Sequence, residues 1–129
     1  MTEEGFEDEQ LNLAIRYAIE KANKNVDWEE LDKKYGPLDK FKIAFKIADA
    51  KGMMGFCIMT NKLQKLSKKL LEECTHVVTT DSQTFWAIAA KEATIDTAYY
   101  TWQTVVIDPL DHHIASMLKV IFDKIYGVL

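Results

Sequence analysis

Apolar residues recur at helical spacing along most of the chain. Leu11, Ile15, Ala18 and Ala22, with Ala14 and Ile19 beside them, predict a helix over about 7–24 with one apolar face. Glu7, Asp8 and Glu9 suit its positive N-terminus. A short second helix has Asp27 as cap, Glu30 completing a capping box, Gly36 as stop and Pro37 barring continuation. Leu38, Phe41, Phe45 and Ala48, spaced three, four and three, predict a third helix ending near Gly52 or Gly55. From 56 to 74 one stripe holds Phe56, Met59, Leu63, Leu66, Leu70 and Cys74, while Lys62, Lys65, Lys68, Lys69, Glu72 and Glu73 lie off it. That pattern reads as a surface helix with one buried side.

The segment 82–107 carries only three charges, Lys91, Glu92 and Asp96, and as one helix would be about 39 Å long. Capped by Asp81 or Ser82, it shows two apolar stripes, one through Phe85, Ile88, Glu92, Ile95, Tyr99, Trp102 and Val106, the other through Trp86, Ala90, Ala93, Thr97, Tyr100, Thr104 and Ile107. Two stripes imply neighbours on both sides, hence a central strut. The last helix has Asp108 as cap, Pro109 at its first position, Asp111 in its first turn, Gly127 as stop, and a stripe of Leu110, Ile114, Met117, Ile121 and Ile125. The expected architecture is an all-α, single-domain bundle of five or six helices over 1–129, with 1–6 as a disordered acidic end. A competing pattern exists: 99–107 is dense in β-branched and aromatic residues, and a hairpin with 76–80 would make the fold α+β.

Composition narrows the class without naming a function. With 129 residues, 48% hydrophobic and 28% charged, the chain suits one globular domain that needs no metal or disulfide to fold. No uncharged stretch reaches the roughly 18 apolar residues of a membrane span, and residues 1–10 are acidic rather than a basic leader, so a soluble cytoplasmic protein is expected. Cys57 and Cys74, read on one helix, would lie roughly 25 Å apart and could not bridge, which suits a reducing compartment.

Several residues invite a chemical reading. Glu92 interrupts an apolar stripe with Asp96 one turn on, and Glu73 and His76 have the Glu-x-x-His spacing that carboxylate-bridged metal bundles use. A second such step is absent, because neither His112 nor His113 has a Glu three residues before it, so Glu92 and Asp96 are expected to bond a Lys or Tyr or to border solvent. No glycine-flanked Ser or Cys accompanies the histidines as a nucleophile would. Both cysteines read as small core hydrophobes.

Charge is uneven: residues 1–35 hold ten acids and five bases, whereas 40–69 hold eight lysines and one acid, Asp49. Lys62, Lys65 and Lys69 are therefore candidate phosphate contacts for a nucleic-acid partner, although 15 Lys against the single Arg16 and a net charge of -4 weaken that reading. Met53, Met54, Phe56 and Met59 form a flexible cluster, an interface if exposed and core if buried. The function expected is noncatalytic: an interaction or structural subunit that binds itself, as a homo-oligomer, or another protein, with no cofactor and no membrane.

Overall fold

The computed structural model describes residues 3–35, 42–59 and 62–126, with side chains from residue 9 onward. Its elements are α1 (Glu3–Asn25), α2 (Trp28–Tyr35), β1 (Ile43–Ile47), β2 (Gly55–Ile58), β3 (Leu63–Lys65), α3 (Lys68–Glu73), β4 (His76–Thr80), α4 (Ser82–Ala89), a π-helical segment (Thr97–Trp102), β5 (Val106–Asp108) and α5 (His112–Tyr126). The strands form one mixed sheet in the order β3-β2-β1-β4-β5. β1 and β4 are parallel, and the other neighbours are antiparallel. This is an α/β fold, and it overturns the expected all-α helical bundle.

The register explains how the two faces are filled. Ile43, Phe45 and Ile47 of β1 share a face with Phe56 and Ile58 of β2, Val78 of β4 and Ile107 of β5. There they join Leu11, Ile15, Ala18 and Ala22 of α1, Leu31 and Tyr35 of α2, and Ile114, Met117, Leu118, Ile121 and Ile125 of α5 in the main core. Phe45 is its hub, with ring centroids 4.9 Å from Phe56 and 5.3 Å from Phe122. The opposite face carries a smaller cluster of Ala44, Cys57, Met59 and Leu66, roofed by Leu70, Leu71 and Cys74 in and beside α3.

Three expected helices are replaced. The third gives way to β1, and Leu38 and Phe41 lie outside the described residues. The helix over 56–74 becomes β2, β3 and α3. All four residues of β2 are buried, so the strand lacks the polar alternation that distinguishes a sheet from a helix in sequence. The long helix over 82–107 ends at Ala89, capped by Ala90, after which Lys91 turns left-handed (φ 63°) and the amide of Glu92 bonds back to Ala87 O at 2.8 Å. Gln103 (φ 58°) closes the π-helical segment, and the β-branched run beyond it forms β5 against β4. The competing hairpin of 99–107 with 76–80 is thus realised in part. Separation of Cys57 from Cys74 along one helix disappears as well, since they sit in one cluster beneath α3.

α1 keeps its expected stripe, and α5 keeps Ile114, Met117, Ile121 and Ile125 of its own, without Leu110. α1 starts at Glu3, ahead of the expected residue 7, and Met1 and Thr2 lie outside the described residues. α5 starts at His112, with Asp111 Oδ1 accepting the His113 amide at 3.0 Å. Asp108 therefore ends β5, its peptide bond to Pro109 is cis, and Leu110 is exposed. Asp27 caps α2 through the Glu30 amide at 3.1 Å, while Gly36, Pro37 and Gly127 lie outside the described residues.

Candidate functional site

β1 and β4 run parallel, and the chain leaves their carboxyl ends at Ala48-Asp49 and Asp81. In open α/β sheets ligands occupy the crevice outside such strand ends. α4 begins immediately after β4 and its first turn is closed by two aspartates. Asp81 Oδ1 accepts the Thr84 amide at 2.6 Å, and Asp49 accepts the Ser82 amide and the Ser82 hydroxyl, each at 2.8 Å. The second pair ties the end of β1 to the start of α4 across 33 positions in sequence.

Beside this junction lies a cleft of about 960 Å³. Gln10 and Leu11 of α1 form one side, Ser82, Gln83, Thr84, Trp86 and Ala87 of α4 another, and Trp102 and Thr104 a third. Two indoles line it: Trp86 on α4, 41% exposed, and Trp102 on the π-helical segment, 46% exposed. Among the described residues its charged lining consists of Asp49, Asp81 and Glu92, with neither lysine nor arginine. Thr104 adds a buried hydroxyl oxygen that has no hydrogen-bond partner among the described residues. The left-handed turns at Lys91 and Gln103 stop α4 and the π-helical segment, leaving Glu92 and Thr104 at the rim.

The electrostatics favour one sign of ligand. A helix N-terminus normally attracts anions through its free amides. In α4 the amides of Ser82, Thr84 and Phe85 already bond Asp49 Oδ1, Asp81 Oδ1 and Asp81 O, so a phosphate would meet occupied donors and two carboxylates. A cation meets three carboxylates and the faces of indoles, which attract positive charge through their quadrupoles. Carboxylate oxygens that accept one hydrogen bond retain a second lone pair for such a guest.

In the cleft the Ser82 hydroxyl donates to Asp49, and the histidines among the described residues lie elsewhere. His76 Nε2 faces Asp111 at 3.6 Å, its Nδ1 lies 3.0 Å from Thr75 Oγ1, His112 Nδ1 meets the Tyr99 hydroxyl at 3.1 Å, and His113 packs edge-on to Tyr35. Among the described residues no three His, Cys, Asp or Glu side chains gather closely enough to hold a metal ion.

The residues singled out in the sequence are dispersed. Glu92 lines the cleft, Asp96 pairs with Lys119 at 3.7 Å, His76 faces Asp111, and Glu73 is exposed at the end of α3. Met54 and Phe56 are buried in the main core, Met59 is buried in the smaller cluster, and Met53 packs half-buried against it. Lys62, Lys65 and Lys69 are exposed. Lys65 lies near Asn12, Arg16 and Glu20 of α1, whereas Lys69 belongs to α3 on the other face of the sheet. Burial pushes the Cys57 thiol up to about 11 and raises that of Cys74, whose Sγ donates to Leu70 O at 3.2 Å.

Asp49, Trp86, Trp102 and Thr104 escaped sequence reasoning as site residues. The two tryptophans sat on stripes read as packing surfaces, and Asp49 was the lone acid in a lysine-rich stretch. Their one legible mark was Asp81-Ser82 directly after a β-branched run, the start of a helix at a strand end. No helix among the described residues is long and apolar enough to cross a membrane. Compared with protein-family models, curated proteins and solved structures, the chain matches none of them, so the reading of the cleft rests on its own chemistry.

Proposed function

We propose that the protein is a noncatalytic interaction domain whose cleft grips a positively charged side chain of a protein partner. One observation carries this reading: a 960 Å³ cleft at the carboxyl ends of β1 and β4 is lined by Trp86 and Trp102, and its charged lining among the described residues is Asp49, Asp81 and Glu92. A guanidinium or ammonium group lies against an indole face while donating to a carboxylate, and each such contact is worth about 0.5–2 kcal/mol depending on how far it excludes water. Glu92 is the strongest anchor, because Asp49 and Asp81 already hold α4. The free thiols Cys57 and Cys74 support a reducing cytoplasmic setting.

Isothermal titration with an acetylated Gly-Arg-Gly amide tests the proposal against the same peptide carrying uncharged citrulline. The arginine peptide binds weakly, with Kd of about 1 mM and affinity falling as salt rises, while the citrulline peptide binds at least about tenfold more weakly. Glu92→Gln and Trp102→Ala each reduce arginine binding about tenfold. Equal affinity for the two peptides refutes the reading.

A further inference from the structure

Five of the seven exposed large hydrophobic side chains among the described residues, Trp86, Tyr100, Trp102, Val106 and Leu110, line one or other of two hollows. Trp86 and Trp102 belong to the cleft. The other three surround β5, an edge strand, where Val106 is 57% and Leu110 71% exposed. A shallow groove of about 340 Å³ follows this strand, lined by Tyr100, Gln103, Val105, Val106 and Leu110 among others. Cleft and groove border the same piece of chain, Trp102 and Thr104 lining the first and Gln103 and Val105 the second.

The two edges of the sheet are treated differently. At β3 the side chain of Asn23 donates from Nδ2 to Leu63 O at 3.0 Å and accepts the Leu63 amide on Oδ1 at 2.7 Å, so α1 occupies that edge. Lys62 and Lys65 flank it with charge, a usual guard against strand addition. β5 contains no lysine, and its outer neighbour among the described residues is not a strand of the sheet. A strand edge left open beside exposed apolar residues is the geometry that accepts an added strand.

We infer that the partner is an extended segment of another protein that pairs as a sixth strand along β5 and places a basic residue at its end in the cleft. This rests on the cation reading of the cleft and extends it. Charge complementarity selects the occupant, since a second copy of β5 would bring Asp108 toward this acidic side, whereas a basic segment is drawn to it. About six residues at roughly 3.3 Å each suffice to follow β5 and turn past Thr104. Alternate apolar side chains of such a segment would lie over Tyr100, Val106 and Leu110.

The test uses the full chain and three probes: acetylated Arg-Gly-Thr-Val-Thr-Val amide, the same peptide with both valine amides N-methylated, and acetylated Gly-Arg-Gly amide. The hexapeptide is expected to bind at least about tenfold more tightly than the tripeptide, and amide hydrogen exchange at 106–108 slows when it binds. N-methylation, or Val106→Lys in the protein, brings the hexapeptide down to the tripeptide's affinity while leaving tripeptide binding unchanged. Leu110→Lys repeats the effect at a second exposed position, and circular dichroism confirms that both variants fold. If the tripeptide binds and the hexapeptide gains nothing, or Val106→Lys changes neither, strand addition is wrong and the cleft reading survives. If only the hexapeptide binds, in a way that Val106→Lys abolishes, strand addition stands and the cleft reading fails. Binding by neither peptide overturns both. A dimer in light scattering that Val106→Lys dissolves, with exchange at 106–108 already slow without peptide, assigns β5 to a second copy and overturns the inference.

Discussion

Gly55 has φ +151°, and a Cβ built on it would run into the carbonyl oxygen of Phe45 on the neighbouring strand. The clash is with backbone, so no rotamer change relieves it. Gly55→Ala is expected to lower stability by about 3 kcal/mol, whereas Gly52→Ala, left-handed at φ +70° but with open space around it, costs about 1 kcal/mol. Urea unfolding of the two variants measures the difference, and equal midpoints would show that the approach of β2 to β1 is not tight. Cys57 makes a second prediction at this scale. Burial raises its thiol from 9.0 to about 11, so the native state holds the proton more firmly than the unfolded chain does. The associated stability is present in full below pH 9 and is lost as pH rises through 11. Urea midpoints measured at pH 7.5 and at about pH 10.5 should fall more in the native chain than in Cys57→Ala; parallel falls would contradict it.

Among the elements, α1 and α5 were legible because each is long and buries a single stripe, which keeps the 3.6-residue period visible. The strands were not. β2 is buried on both faces, β3 and β5 are three residues each, and β1 lies between residues whose spacing imitates a helix. Burial was nevertheless readable where structure was not: Phe56, Met59, Leu63 and Leu66 are buried, although they reach two different faces of a sheet rather than one side of a helix. The cleft was the least legible part, since it joins residues from 10 to 104 across strand ends that the sequence did not reveal. Asn23 shows how such long links work, holding both backbone groups of Leu63 from a position 40 residues away. Asn23→Ala removes both bonds and is expected to cost about 1–2 kcal/mol and to speed amide exchange at Leu63; unchanged exchange there would mean that β3 does not depend on α1.

At the scale of the whole molecule, the parallel pair β1 and β4 turns two aspartates and a helix start toward one end of the sheet, and the broken segment 82–107 brings Trp86, Glu92, Trp102 and Thr104 around them. Charge sign is therefore the central claim. Two-dimensional NMR of the labelled protein, titrated separately with acetylarginine methylamide and with inorganic phosphate, tests it most directly. Arginine should shift the indole signals of Trp86 and Trp102 and the amide of Glu92, leaving Trp28 in place, while phosphate leaves all of them unmoved. Shifts of the two cleft indoles by phosphate, or none by arginine, would contradict the account.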